Sequence, residues 1–163
     1  MLLAKQGVVN NRSGRLSASR CARKPVCIVD TGAFTDPELI QKWLLGPEGW
    51  TMPVCICEAR PGGKIRYEWK NASKGQGFYL TGEFIELVPN RRTFHVERMF
   101  LPDRTPDNRV ETTFDPDGAD TLMTMRMTLP DAQTRAAMLA TGMERGMEMS
   151  YVRLEGLLQP AAA

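Results

Sequence analysis

The sequence predicts an α+β domain in which a six-stranded antiparallel sheet is followed by a long C-terminal helix. Three observations carry that expectation. The hydrophobic period changes from helical to two at Met52. Short connections rich in Pro, Gly, Asn and Asp then separate six strand-like runs. After Pro130 a single helical face returns and persists to Leu158.

The first helix is expected at Pro37. Thr35 or Asp36 can accept a hydrogen bond from a free backbone N–H of the first turn, Pro37 fits that turn, and Leu39, Ile40, Trp43 and Leu44 recur at helical spacing. Gly46-Pro47-Glu48-Gly49 ends it. Val54-Cys55-Ile56-Cys57 and Ile65-Arg66-Tyr67-Glu68-Trp69 flank Gly62-Gly63, whose positive φ angles would suit a tight hairpin. Further strands are expected at 78–88, 93–100, 109–114 and 121–129, and their short connections imply a meander. From Asp131 one continuous helix to Leu158 would be about 42 Å long at 1.5 Å per residue. Met143, Met147, Tyr151, Leu154 and Leu158 form its inner face. Gly142 and Gly146 lie inside it, so the helix is expected to bend or to meet something close there.

Length and charge restrict the function classes. A chain of 163 residues suits one domain, assigned to residues 25–160, behind a basic tail over 1–24 read as poorly ordered. Six of the 21 basic residues (Lys5, Arg12, Arg15, Arg20, Arg23 and Lys24) precede the first acid, Asp30, so the body carries fifteen basic against 19 acidic side chains. Positive charge confined to a tail does not make a nucleic-acid groove, and no nucleic-acid partner is expected. No apolar run approaches the roughly 20 residues needed to cross a bilayer. The absence of a secretory signal points to the cytoplasm. Cys21, Cys27, Cys55 and Cys57 lack C-x-x-C spacing, and Cys55 and Cys57 read as a pair of small hydrophobes on one strand face.

Candidate chemistry is sparse. The only histidine, His95, alternates with Phe94 and Val96, so if the apolar pair faces the core His95 points to solvent. One histidine excludes a multi-histidine metal site, and no nucleophile elbow or phosphate-binding glycine loop is present; neither metal nor cofactor is expected. Glu68, Glu83, Arg66, Arg98 and Arg126 belong by alternation on a solvent face, with Glu83, Tyr67 and Tyr79 the best candidates for an inward exception. Methionine is the more informative residue. Met123, Met125 and Met127 alternate along one strand and Met138, Met143, Met147 and Met149 lie on the helix, a pairing that suits an irregular core or an adaptable pocket.

Five segments in order resemble a known group. They are Phe34-Thr35-Asp36-Pro37-Glu38-Leu39, Trp43 with Gly46-Pro47-Glu48-Gly49-Trp50, Arg60-Pro61-Gly62-Gly63, Gly82-Glu83-Phe84-Ile85-Glu86-Leu87-Val88-Pro89, and Gly142-Met143-Glu144-Arg145-Gly146-Met147 with Arg153-Leu154. Together they resemble the SRPBCC (START and Bet v-like) superfamily, in its branch similar to the activator of heat-shock-protein ATPase. The resemblance implies a helix-grip fold, a curved sheet wrapped around the C-terminal helix with an apolar cavity between. Residues 23–32 match neither the spacing nor the apolar pattern of the edge strand with which such proteins begin.

The function implied is a binding module for an apolar or amphipathic small molecule, lined by Trp43, Trp50, Tyr67, Trp69, Phe84, Phe94, Met123, Met125, Met143, Met147 and Tyr151. A co-chaperone acting on a partner ATPase through its surface is one alternative. A cyclase- or lyase-type enzyme using Glu83, Tyr79 or His95 is the other. Oligomeric state is left open, a homodimer included.

Overall fold

The computed structural model describes residues 15–16, 19–21, 32–117 and 120–158. Its elements run β1 (Arg15–Leu16), β2 (Ser19–Cys21), α1 (Gly32–Thr35), α2 (Pro37–Trp43), β3 (Thr51–Cys57), β4 (Lys64–Asn71), β5 (Gln76–Val88), β6 (Arg92–Phe100), β7 (Asn108–Asp117), β8 (Asp120–Thr128), α3 (Ala132–Ala140) and α4 (Met143–Leu158). The six long strands form the expected meander, in the order β8-β7-β6-β5-β4-β3 and antiparallel throughout. Bulges between Thr51 and Val54 and between Phe84 and Glu86 bend β3 and β5.

The basic segment read as a tail contributes to this sheet. Arg15 and Leu16 pair with Thr128 and Met127, and Ser19, Arg20 and Cys21 pair with Met123, Leu122 and Thr121. The open edge of β8 offers unpaired backbone groups, and a polar strand without apolar alternation satisfies them as well as any other. Cys27 and the remainder of residues 22–31 lie outside the described residues.

Local chemistry at the front of the domain follows the sequence. Asp36 caps α2, its carboxylate accepting from the Glu38 amide at 2.9 Å with Pro37 in the first turn. Two tryptophans tie this helix down: Trp43 Nε1 donates to the Ala33 carbonyl at 2.8 Å, and Trp69 Nε1 on β4 donates to the Leu44 carbonyl at 2.7 Å. Gly62 and Gly63 play different parts. Gly62 has φ +77°, whereas a Cβ on Gly63 would stand 1.9 Å from the Glu58 carbonyl oxygen. The first supplies a turn; the second permits a close backbone approach.

The expected single C-terminal helix is two helices. Gly142, at φ +77°, ends α3 in the left-handed region, and α4 restarts at Met143. Gly146 is the other anticipated irregularity, and it meets the chain closely: a Cβ there would lie 3.7 Å from Pro47 Cδ and 3.9 Å from Gly46 Cα. The loop after α2 lies against α4 there, at a distance a Cβ would meet in ordinary contact.

Three apolar clusters fill the space between sheet and helices. Ala33, Trp43, Phe114, Met123, Tyr151 and Leu154 join α1, α2 and α4 to the β7 and β8 end. Ile40, Met52, Ile65, Tyr67, Trp69, Leu80 and Phe84 fill the β3 to β5 end. Val110, Met127, Leu129 and Met138, with Met99, Met125 and Met143 packed against them, join the sheet to α3.

Candidate functional site

Side-chain alternation fixes which residues share the covered, concave face of the sheet. Buried Thr93 and Glu97 on β6, with Met99 packed into two of the clusters, place His95 on that face. His95 makes an edge-to-face contact with buried Phe84, ring centroids 5.8 Å apart. The expectation of an outward His95 is therefore corrected, and with it that for Phe94. Phe94 lies on the convex face beneath the Arg92 guanidinium, 5.7 Å from its ring centroid.

The inward half of β6 makes a polar centre within an otherwise apolar surface. His95 Nε2 donates to Glu97 Oε2 at 3.0 Å, their side chains 16% and 9% exposed. A carboxylate only accepts, so the proton of this bond belongs to Nε2. Asn108 of β7 pairs in register with Glu97 and is 0% exposed. Directly opposed residues on one face bring their Cβ atoms within about 5.5 Å. On the other side of Glu97 stands Gly82 of β5. Thr112, one inward position beyond Val110, is also buried.

This centre is incompletely paired within the protein. Neither Asn108 Nδ2 nor Asn108 Oδ1 has a hydrogen-bond partner, and neither has His95 Nδ1. A buried polar group left unmade costs roughly 1–3 kcal/mol, so three such atoms at one spot are unlike ordinary core packing.

Tyr67 connects the polar centre to the two cysteines. Burial first, and then neighbouring Cys57, holds its phenol well above the usual range, and Glu97 acts in the same sense. Neighbouring Cys57 has its own thiol raised by burial. Burial, with smaller effects from Cys57 and Asp36, pushes Cys55 up to about 12. Both cysteines are reduced and half-buried, on one strand face as the spacing predicts. Among the described residues no group of three or more His, Cys, Asp or Glu side chains is arranged to hold a metal ion.

The remaining sequence-predicted residues divide by face. Trp43, Met123 and Tyr151 sit in the first apolar cluster with Met147 against it; Tyr67, Trp69 and Phe84 sit in the second with Trp50 against it; Met125 and Met143 border the third. The Tyr151 hydroxyl donates to Met125 Sδ at 3.4 Å, and burial raises its phenol pKa. Glu83 and Tyr79 lie on the convex face, away from the inward positions Leu80, Gly82 and Phe84. Glu83 pairs with Lys64, which lowers its carboxyl pKa, and Tyr79 stacks on Phe100 at 4.3 Å with the Arg66 guanidinium 4.7 Å from its ring centroid. The roles foreseen for Glu83 and Tyr79 as inward acids are thus corrected. Asn108 stands one residue before the strand expected at 109–114, and its period-two relation to Val110, Thr112 and Phe114 is the signal that places it on the inward face.

The arrangement of sheet, paired C-terminal helices and inward face matches known proteins. The family profile of the Activator of Hsp90 ATPase homolog 1-like protein matches residues 32–159. The chain belongs to this family. The Activator of Hsp90 ATPase homolog 1-like proteins are part of the SRPBCC superfamily, whose helix-grip fold the chain shares. A crystal structure of a Rhodobacter sphaeroides protein is 27% identical with a TM-score of 0.82, covering 96% of this chain and 98% of that one. A Chromobacterium violaceum protein is 26% identical with a TM-score of 0.71, covering 90% and 96%. The solution structure of an AHSA1-like protein from Aeromonas hydrophila, 17% identical with a TM-score of 0.71 over 91% and 98%, shares the fold. No curated protein matches the chain. Among the described residues no helix is long and apolar enough to cross a membrane.

Proposed function

We propose that this chain is a binding module that holds an amphipathic small molecule between the concave face of the sheet and the helices α3 and α4. The observation that carries the reading is the polar centre of His95, Glu97 and Asn108, buried among apolar clusters with three polar atoms unpaired. A fold without a ligand would gain by replacing these residues with hydrophobes. A ligand with one polar end would instead complete their hydrogen bonds while its apolar part meets Met99, Met125 and Met143. Thioether side chains adapt to irregular apolar shapes, and burial of the ligand's apolar surface supplies about 25 cal/mol per Å².

The alternatives have less support. With Glu83 and Tyr79 on the convex face, the enzyme reading keeps only His95 of its three foreseen groups. The co-chaperone reading rests on the family's name. On the convex face Arg66 pairs with Glu68, Arg92 with Glu86 and Glu111, and Arg126 with Glu111, so these side chains are engaged with one another.

Titration with Nile red, a neutral apolar dye, tests the reading. The expected result is saturable fluorescence enhancement with one dye per chain, and a mass shift of one dye in native mass spectrometry. Absence of saturable binding, together with retention of the chain on an immobilised chaperone ATPase, would overturn it in favour of the surface-binding alternative.

A further inference from the structure

The ligand's polar end can be inferred from the groups that await it, granted the internal binding reading above. Asn108 presents one donor, Nδ2, and one acceptor, Oδ1, side by side in a single plane, and both are unpaired at 0% exposure. The edge that satisfies both at once must itself carry an acceptor and a donor side by side. His95 Nδ1, the third unpaired atom, lies on the adjacent strand of the same face. With Nε2 committed to Glu97, it accepts when the ring is neutral and donates when the ring is protonated.

Charge narrows the class further. The ionisable groups flanking Asn108 on the concave face are Glu97 and His95, which sum to zero when the imidazole is protonated and to minus one when it is neutral. None of the inward positions of the sheet next to them is cationic. A carboxylate or sulfate head would enter low-dielectric surroundings beside the Glu97 carboxylate; the sheet offers no compensating cation there, and Arg135 of the covering helix α3 is already engaged, so such a head is disfavoured. An ester or ketone offers an acceptor and leaves Oδ1 unpaired. A primary amide or a lactam offers both groups on one edge without charge.

We propose that the polar centre recognises a primary carboxamide or lactam on an otherwise apolar ligand, with Asn108 pairing to the amide edge and Glu97 holding His95 in place beside it.

Competition against bound Nile red on the full chain tests this with three compounds that share one decanoyl chain and differ only at the head: decanamide, decanoate and methyl decanoate. Decanamide is expected to displace the dye at concentrations about tenfold lower than either of the others, the effect of one added net hydrogen bond of about 1.4 kcal/mol. In Asn108→Leu, and in the smaller Asn108→Ala should leucine not be accommodated, Nile red binding should persist while the three competitors become equivalent to within about twofold. In the unaltered chain, the side-chain amide resonances of Asn108 should shift on adding decanamide and stay in place on adding methyl decanoate. Dye binding without head-group preference, a preference for decanoate, or a decanamide preference that survives at position 108 would each overturn the assignment while leaving the binding reading intact. Failure of the unaltered chain to bind Nile red would remove both.

Discussion

The Gly46 amide donates to Ser150 Oγ at 2.9 Å, and the same hydroxyl donates to the Gly146 carbonyl at 2.9 Å. One buried serine of α4 thereby holds the loop that follows α2, and Arg153 completes the clamp by donating from Nη1 to the Gly46 carbonyl. The clamp joins the front of the domain to its last helix across more than 100 residues of chain. Ser150→Ala leaves the Gly46 N–H without its partner in a part-buried setting, and a loss of about 1–3 kcal/mol is expected in urea denaturation. An unchanged midpoint would show that solvent replaces the hydroxyl.

The two glycines flanking the start of α4 should respond oppositely to alanine. Gly142 holds φ +77° with open space around it, so Gly142→Ala meets no neighbour but takes on left-handed strain, about 1–2 kcal/mol. Gly146 is helical, and its added Cβ would make ordinary contacts at 3.7 and 3.9 Å, so Gly146→Ala should stabilise by up to about 1 kcal/mol through helix propensity. Thermal denaturation of the two variants side by side checks the opposition of sign.

At the hairpin, Gly63 should prove the more sensitive position. Gly63→Ala forces a methyl group to 1.9 Å from a carbonyl oxygen and is expected to cost well over about 2 kcal/mol, since backbone must move. Gly62→Asn keeps a residue tolerant of positive φ in open space and should cost under about 1 kcal/mol. Equal midpoints for the two would place Gly63 in a loop without the close approach.

Much of this architecture was readable because its signals are local. Caps, turn residues and period-two runs placed α2, all six long strands and the methionine face of β8. The orientation of β6 was not readable, for a physical reason. Alternation in Thr93-Phe94-His95-Val96-Glu97-Arg98 shows which residues share a face and is silent on which face is covered. Hydrophobicity then points the wrong way, because Phe94 finds cover under Arg92 on the convex side while the covered face needs His95 and Glu97. The rule broke at the candidate site, where local consistency is commonly given up for recognition. β1 and β2 escaped notice because edge pairing uses backbone groups and leaves no apolar imprint.

The cysteines give the chain a pH signature. In the folded state the Cys55 thiol is pushed from 9.0 up to about 12, so the native protein holds this proton through a window in which the unfolded chain releases it. The stability tied to that proton is complete below about pH 9 and declines as pH rises from about 9 to about 12, with Cys57 contributing in the same direction. Unfolding midpoints measured from pH 7 to 11 should be flat at first and then fall, and the slope at the alkaline end should lessen in Cys55→Ala. At pH 8 both thiols should react with Ellman's reagent far more slowly in the folded chain than in urea.

Stability and recognition should separate at the His95 and Glu97 pair. Removing one partner strands the other: His95→Phe leaves a carboxylate that is 9% exposed without its donor, and Glu97→Leu leaves both nitrogens of the His95 ring unpaired. Each single variant is expected to lose about 1–3 kcal/mol, the cost of leaving a buried polar group without its hydrogen bond. Replacing both at once removes the desolvation cost along with the bond, so the double variant should return to the parent's stability or exceed it. A double-mutant cycle from urea denaturation measures the difference, and the coupling should be large because the groups are in direct contact. If the double variant is as damaged as the sum of the singles, the pair serves the fold itself. If it is stable yet no longer distinguishes decanamide from methyl decanoate, then a hydrophobic centre would have built the same domain, and the polar one is kept for what it binds.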